Sequence, residues 1–259
     1  MKDLEVKNLN LTFKKEDIFT DLSFCVKSGT FTSILINKNK KSLMNILANI
    51  IKTNNVYIND KNITREDIKK IGYVFEQDLF ICETVEEEIL YGLDSSEYEE
   101  DLENILSLLN ITDLRKMSIK YLSKTEKKLV KLGASLIKKP DILILDNTFG
   151  IFKNKDKIIK ILKKINKENK MTIINLTNDV EELIYGNEII IIDKTNILSG
   201  KTSKVLKEVK QLEELKLGLP FMVDLSNKLK YYDLVDENIL KIDKMVEKIW
   251  EYRLVIYHI

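Results

Sequence analysis

Apolar and polar positions alternate through the first part of the chain, with Leu4, Val6, Leu9, Leu11 and Phe13, then Leu22, Phe24 and Val26 on one side of the pattern. A period of two predicts half-buried strands, and the run from Phe31 to Ile36 reads as a third. The period then changes. Leu43, Ile46, Leu47, Ile50 and Ile51 recur at helical spacing. Further along, the pattern predicts a strand at 72–75, an acidic helical stretch over 84–109 and an amphipathic helix over 125–138 that stops before Pro140. A strand at 142–145 follows, then a helix over 155–165 with Ile158, Ile161, Leu162 and Ile165 on one face. A strand at 171–176, a short helix and a strand at 188–192 complete the series. Strands alternating with helices predict parallel βαβ units and an α/β fold. Past Leu217 the text changes, and 231–259 reads as a helical tail with one final strand.

Composition narrows the class. A chain of 259 residues with 44% hydrophobic positions is sized for one large domain, or a domain with an appendage. Its 42 basic and 41 acidic residues are interspersed and leave a net charge of +1, so the footprint of a nucleic-acid binder is missing. Arginine occurs only at 65, 115 and 253. Cys25 and Cys82 stand far apart and His258 is the sole histidine. No disulfide framework or zinc site can be drawn from that set, and a reducing cytoplasm is expected. The acidic start, Met1 to Glu5, does not read as a secretory leader. The longest apolar runs are strand-sized, so a membrane role is expected to come through a partner.

The chemistry is expected where Ile142-Leu143-Ile144-Leu145 ends in Asp146. An apolar run closing in a carboxylate puts that group at the C-terminal edge of a buried strand, where open parallel sheets bind ligands. In nucleotide-hydrolysing proteins such an Asp holds Mg²⁺; elsewhere it merely ends a core strand. The stations around it are ordered. Val74-Phe75-Glu76 closes one strand, Tyr121-Leu122-Ser123-Lys124-Thr125-Glu126 opens a helix twenty-three residues ahead of Asp146, and Leu176-Thr177-Asn178-Asp179 follows another strand.

This order resembles the ATP-binding cassette (ABC) ATPases, whose stations run P-loop, Q-loop, LSGGQ signature, Walker B and switch histidine. Leu4-Glu5-Val6-Lys7-Asn8-Leu9, Thr84-Val85-Glu86-Glu87-Glu88 and Leu219-Pro220-Phe221 are similar to the ATPase subunits of energy-coupling factor (ECF) transporters. The resemblance implies a P-loop NTPase-like cassette: a mixed sheet core, an N-terminal antiparallel β subdomain, an inserted helical subdomain and a short C-terminal helical extension. It places the cassette at 1–218, with the helical subdomain at about 77–124, and the extension at 219–259. ATP and Mg²⁺ are the implied ligands. The implied partners are a second ABC ATPase subunit, as homodimer or heterodimer, and an integral membrane subunit. The chain would then be cytoplasmic, held at the inner face of the cell membrane.

The active positions depart from that family. The P-loop segment runs Asn37-Lys38-Asn39-Lys40-Lys41-Ser42, without a glycine and about two residues short. Phosphate-cradling loops need glycine because backbone N–H groups must approach closely, often with φ > 0. Asn37 and Asn39 can enter the left-handed region at modest cost. Lys41 with Ser42, or Lys40 in a shifted register, would stand in for the phosphate lysine and the Mg²⁺ hydroxyl, with Ser42 and Asp146 as the metal ligands. A solvated basic turn is the alternative. Phe13 aligns with the aromatic that stacks on adenine, and equally reads as the last inward residue of its strand. Glu76 stands at the Q-loop glutamine, with Gln77 beside it as the one-residue-slip alternative, Asn147 at the catalytic glutamate and Asn178 at the switch histidine. An amide orients water but takes no proton from it, and loss of a general base costs about 10²- to 10⁴-fold. The signature reads Leu-Ser-Lys-Thr-Glu. In the family this loop contacts ATP held by the P-loop of the opposing subunit; Ser123 is retained there, and Lys124 could offer a charge to a γ-phosphate. Ser123-x-x-Glu126 is also a capping box sufficient to start the next helix. The expected role is therefore a degenerate cassette of an importer; an ATPase with atypical motifs and a soluble nucleotide-binding regulator are the alternatives.

Overall fold

Strands at Phe31–Ile36, Ile142–Asp146 and Thr172–Thr177 are buried at every position. A run with no exposed face must be covered on both sides, which is the condition of a parallel strand inside an α/β sheet. The computed structural model describes residues 3–94, 97–214 and 217–257. Its strands are β1 (Leu4–Phe13), β2 (Glu16–Val26), β3 (Phe31–Ile36), β4 (Val56–Ile58), β5 (Lys61–Asn62), β6 (Ile71–Val74), β7 (Ile142–Asp146), β8 (Thr172–Thr177), β9 (Glu188–Ile192) and β10 (Asn196–Lys201). Its α-helices are α1 (Lys40–Leu47), α2 (Arg65–Lys69), α3 (Val85–Ile89), α4 (Glu99–Leu109), α5 (Lys124–Leu136), α6 (Lys155–Asn169), α7 (Thr202–Val205), α8 (Val209–Glu214), α9 (Phe221–Tyr231) and α10 (Ile242–Tyr257).

Six strands form one sheet in the order β10-β9-β3-β8-β7-β6, parallel from β9 to β6 with β10 antiparallel at the edge. Four strands form an antiparallel sheet, β2-β1-β4-β5. Neighbouring residues of a strand point to opposite faces, and β7 divides accordingly. Ile142 and Ile144 pack with Leu4, Val6 and Leu22 of the antiparallel sheet and with Leu43 and Leu47 of α1. Leu143 and Leu145 pack with Val85, Leu106, Val130 and Leu162 from the helices α3 to α6. Each such buried side chain contributes about 1.5–3 kcal/mol relative to exposure. Gly186, just before β9, lies so close to β3 that a Cβ would meet the Phe31 carbonyl oxygen at 2.6 Å and the Ser33 nitrogen at 2.9 Å.

Four sequence expectations change in the structure. The acidic stretch over 84–109 is two helices, α3 and α4, parted at Gly92, which takes φ 75°. The tail stays helical to Tyr257 in place of a final strand, because Met245, Ile249 and Trp250 recur at helical spacing without a turn signal. The hairpin strand β10 was masked by its weak alternation. Phe13 does not face inward: it is 62% exposed at the hairpin end. Thr12 beside it is exposed as well, because the strand here runs past the packed core to the turn at Lys14 and Lys15, both of which take positive φ. His258 lies outside the described residues.

Candidate nucleotide site

The C-terminal ends of β3, β6, β7 and β8 deliver Asn37, Glu76, Asp146 and Asn178 to one edge of the parallel sheet. This is the crevice where such sheets bind ligands. The turn from β3 into α1 is made without glycine. Asn39 caps α1 in the left-handed conformation (φ 65°, ψ 15°), and its carbonyl accepts from the backbone N–H groups of Ser42 at 2.9 Å and Leu43 at 3.2 Å. Asparagine is among the few residues that enter this region readily. Asn147, directly after β7, also takes positive φ (43°) while its N–H donates to the Leu176 carbonyl at 3.0 Å.

Lys40 is the lysine that faces the carboxylates. Its ammonium donates to Glu76 Oε2 at 3.1 Å and to Asp146 Oδ1 in a shorter bond. The Lys40 side chain is 11% exposed and that of Asp146 8%, so this pair lies largely out of solvent. Glu76 closes the ring: its N–H donates to Asp146 Oδ2 at 3.3 Å, and its Oε1 accepts from the Asn147 amide at 3.0 Å. The Asn147 hydrogen bond, followed by Lys40, holds the Glu76 carboxyl below the usual glutamate range. Asn37, Lys38 and Lys41 are exposed at the mouth of the loop. Ser42, the third residue of α1, makes no hydrogen bond to Asp146.

Beside this ring opens a cleft of about 450 Å³ lined by Glu76, Lys124, Lys128, Asn147, Asn178 and Glu182, among others. Lys128 and Glu182 escaped the sequence reading. Lys128 is buried on α5 and donates to the carbonyls of Phe75 at 2.9 Å and Glu76 at 3.0 Å. Burial pushes its ammonium pKa down. Lysines at 124, 128 and 131, on one side of a helix, were the available signal. Burial likewise pushes Lys131 down to about 8. On the cleft floor Glu182 accepts from the Asn175 amide at 3.0 Å, and its backbone carbonyl accepts from Ser33 Oγ at 3.0 Å; burial raises the Glu182 pKa. Ser123 lies at the start of α5, where the capping box forms in full: the Glu126 N–H donates to Ser123 Oγ at 3.3 Å, and the Ser123 N–H to Glu126 Oε2 at 2.7 Å. Phe13 stands at the tip of the β1–β2 hairpin with the Lys14 ammonium 5.5 Å from its ring.

Residues 19–150, just over half of the sequence, match the family model described as ABC transporter. The chain belongs to the ABC transporter family. It is 28% identical over 256 residues to the energy-coupling factor transporter ATP-binding protein EcfA1 of Lactobacillus gasseri, covering 88% of this chain and 89% of that protein. EcfA1 of Streptococcus pneumoniae is 27% identical over 270 residues, covering 96% of this chain and 98% of the other. Among solved structures, CbiO1 of Clostridium perfringens, described as part of the ABC transporter complex CbiONQ, superposes with a TM-score of 0.70 at 25% identity over 86% of this chain and 98% of that one.

The fit of a metal ion can be judged from the residues at the sheet edge of this ABC cassette. P-loop NTPases hold Mg²⁺ between the hydroxyl that follows the phosphate lysine and the Walker B aspartate. Here the residue after Lys40 is Lys41, and Asp146 is taken by Lys40 itself. Magnesium in that arrangement does not fit these residues. A phosphate group is a different matter, since Lys38 and Lys41 flank the N-terminus of α1, where helix polarity favours anions. No helix among the described residues is long and apolar enough to cross a membrane.

Proposed function

We propose that the chain is a cassette subunit of an ECF-type membrane importer that does not hydrolyse ATP itself and works beside a competent ATPase subunit. Residues 1–218 serve as the cassette, with 77–124 as its helical subdomain and 219–259 as an extension that supports subunit pairing. The helices over 84–114 dock a membrane subunit, which keeps the chain at the cytoplasmic face. The likeness to EcfA1 over nearly the whole chain supports the assignment to this class of transporter.

One observation carries the non-hydrolytic reading. At the position of the general base stands Asn147, and its amide is spent on Glu76. Glu76, held below the usual glutamate range, is a poor acceptor of a proton from water. A cassette of this kind still takes part in transport, because coupling asks only that its contacts differ between the open and closed states of the assembly. Phosphate release by the purified chain with Mg²⁺ and ATP tests the reading. The expected rate is that of buffer; Mg²⁺-dependent turnover abolished by Asp146→Asn would overturn it. Affinity capture with the tagged chain from its own cells should bring down an intact second cassette and a polytopic membrane protein.

A further inference from the structure

We propose that Lys40 takes the divalent-cation position of this site, its ammonium bridging Asp146 and Glu76, so that the cleft accepts a nucleoside triphosphate without magnesium. The inference rests on the non-hydrolytic reading above and supplies its chemical cause.

Two observations meet on it. First, the two carboxylates at the strand ends are joined through one ammonium, which donates to Asp146 Oδ1 and Glu76 Oε2 while the second oxygen of Asp146 accepts from the Glu76 N–H. A magnesium ion binds through one or two carboxylates together with phosphate oxygens and water, in strict octahedral geometry. Here both carboxylates already surround a cation that the chain itself carries. Second, with Lys40 as the lysine that faces Asp146, the next position, which the P-loop pattern gives to a hydroxyl residue, is Lys41, and the hydroxyl of Ser42 comes one residue later. A second positive charge next to Lys40 opposes a metal ion and favours the phosphates that the metal would otherwise neutralise.

The glutamate at position 76 then has a role. A neutral glutamine would leave Lys40 with a single anionic partner, whereas Glu76 gives it two and is itself steadied by Asn147. The departures at 40, 41, 76 and 147 form one connected arrangement in which a fixed ammonium replaces an exchangeable ion. Phosphate recognition falls to the exposed Lys38 and Lys41 at the mouth of α1.

Manganese, a paramagnetic substitute for magnesium, gives a direct readout independent of turnover. In EPR titrations of the full chain, Lys40→Met is expected to bind Mn²⁺ at least about tenfold more tightly than the unaltered protein, and Lys40→Met with Asp146→Asn to lose that gain. Equal Mn²⁺ affinity with and without Lys40 overturns the proposal. Should Lys40→Met fail to fold, Asp146→Asn alone decides: unchanged Mn²⁺ affinity supports the proposal, and about a tenfold loss overturns it. Calorimetric titration with ATP is expected to give the same affinity in Mg²⁺ and in EDTA, within about threefold. A tenfold gain with Mg²⁺, or no ATP binding in either buffer, overturns it. Mn²⁺ binding without turnover would remove this inference and leave the non-hydrolytic reading standing. Failure to capture a second cassette, with Mn²⁺ still excluded, would do the reverse.

Discussion

Two cations in this molecule each gather carboxylates, and they do so in opposite settings. Arg115 lies between α3 and α4 and binds Glu86 Oε2 through Nε at 2.6 Å, Glu99 through Nη1 at 2.8 Å and Nη2 at 3.0 Å, and Glu103 in a shorter contact. Lys40 lies at the sheet edge between Asp146 and Glu76. Arginine offers a planar fork with five donors and ties two helices together near solvent, at 23% exposure. Lysine offers a compact point charge, and here it sits deeper, against a carboxylate that solvent barely reaches. The first arrangement fastens neighbouring elements. The second fills a place that this family reserves for a ligand, so the same chemistry is structural in one region and preclusive in the other.

The sharpest way to break this comparison is to remove each cation in turn. Lys40→Met leaves Asp146 buried without its counter-charge, and urea unfolding should show a loss of about 3–5 kcal/mol, most of it regained in Lys40→Met with Asp146→Asn. Arg115→Met should cost less, about 1–2 kcal/mol, because its glutamates turn to water when the fork is gone. A larger loss at Arg115 than at Lys40 would reverse the ranking. The cap of α5 provides a neutral reference: Ser123→Ala should cost about 1 kcal/mol in the same assay, and Ser123→Thr should recover most of it.

The smallest effect is on acid stability, and it separates the clusters by pH. Glu86, held down chiefly by Lys116 and then Arg115, and Glu76, held down by Asn147 and then Lys40, both have lowered folded-state pKa values. A lowered carboxylate contributes stability above its ordinary value of 4.5 and loses it as pH falls through the folded value. The urea midpoint should therefore hold between neutral pH and about 5 and decline below. Glu86→Gln should flatten that decline more than Glu76→Gln, since Glu76 is more than half exposed. An equal effect of the two would erase the distinction.

Much of the architecture was legible because it is written in period. The apolar run ending at Asp146 marked β7 and the edge where the site lies, and the helix of α6 followed from Ile158 and Leu162. Family membership was readable from the order of the stations even where their residues had changed. What escaped depends on contacts distant in the chain. No spacing rule chooses between Lys40 and Lys41 in a loop that lacks glycine landmarks; the choice is made by Asp146, 106 positions away. Lys128 looked like any polar-face lysine until the Phe75 and Glu76 carbonyls were set above it. Alternation left Phe13 between two readings because it does not show where a strand runs past the core, and its exposure removes only the inward one.

The bonds from Lys128 have a mechanical meaning. An ammonium on a stiff helix grips two successive peptide carbonyls of the strand exit that carries Glu76, so α5 and that exit travel as one piece. The helical side and the crevice are thus fastened to each other through one buried side chain, whose two bonds reach the same short stretch of backbone that carries the carboxylate.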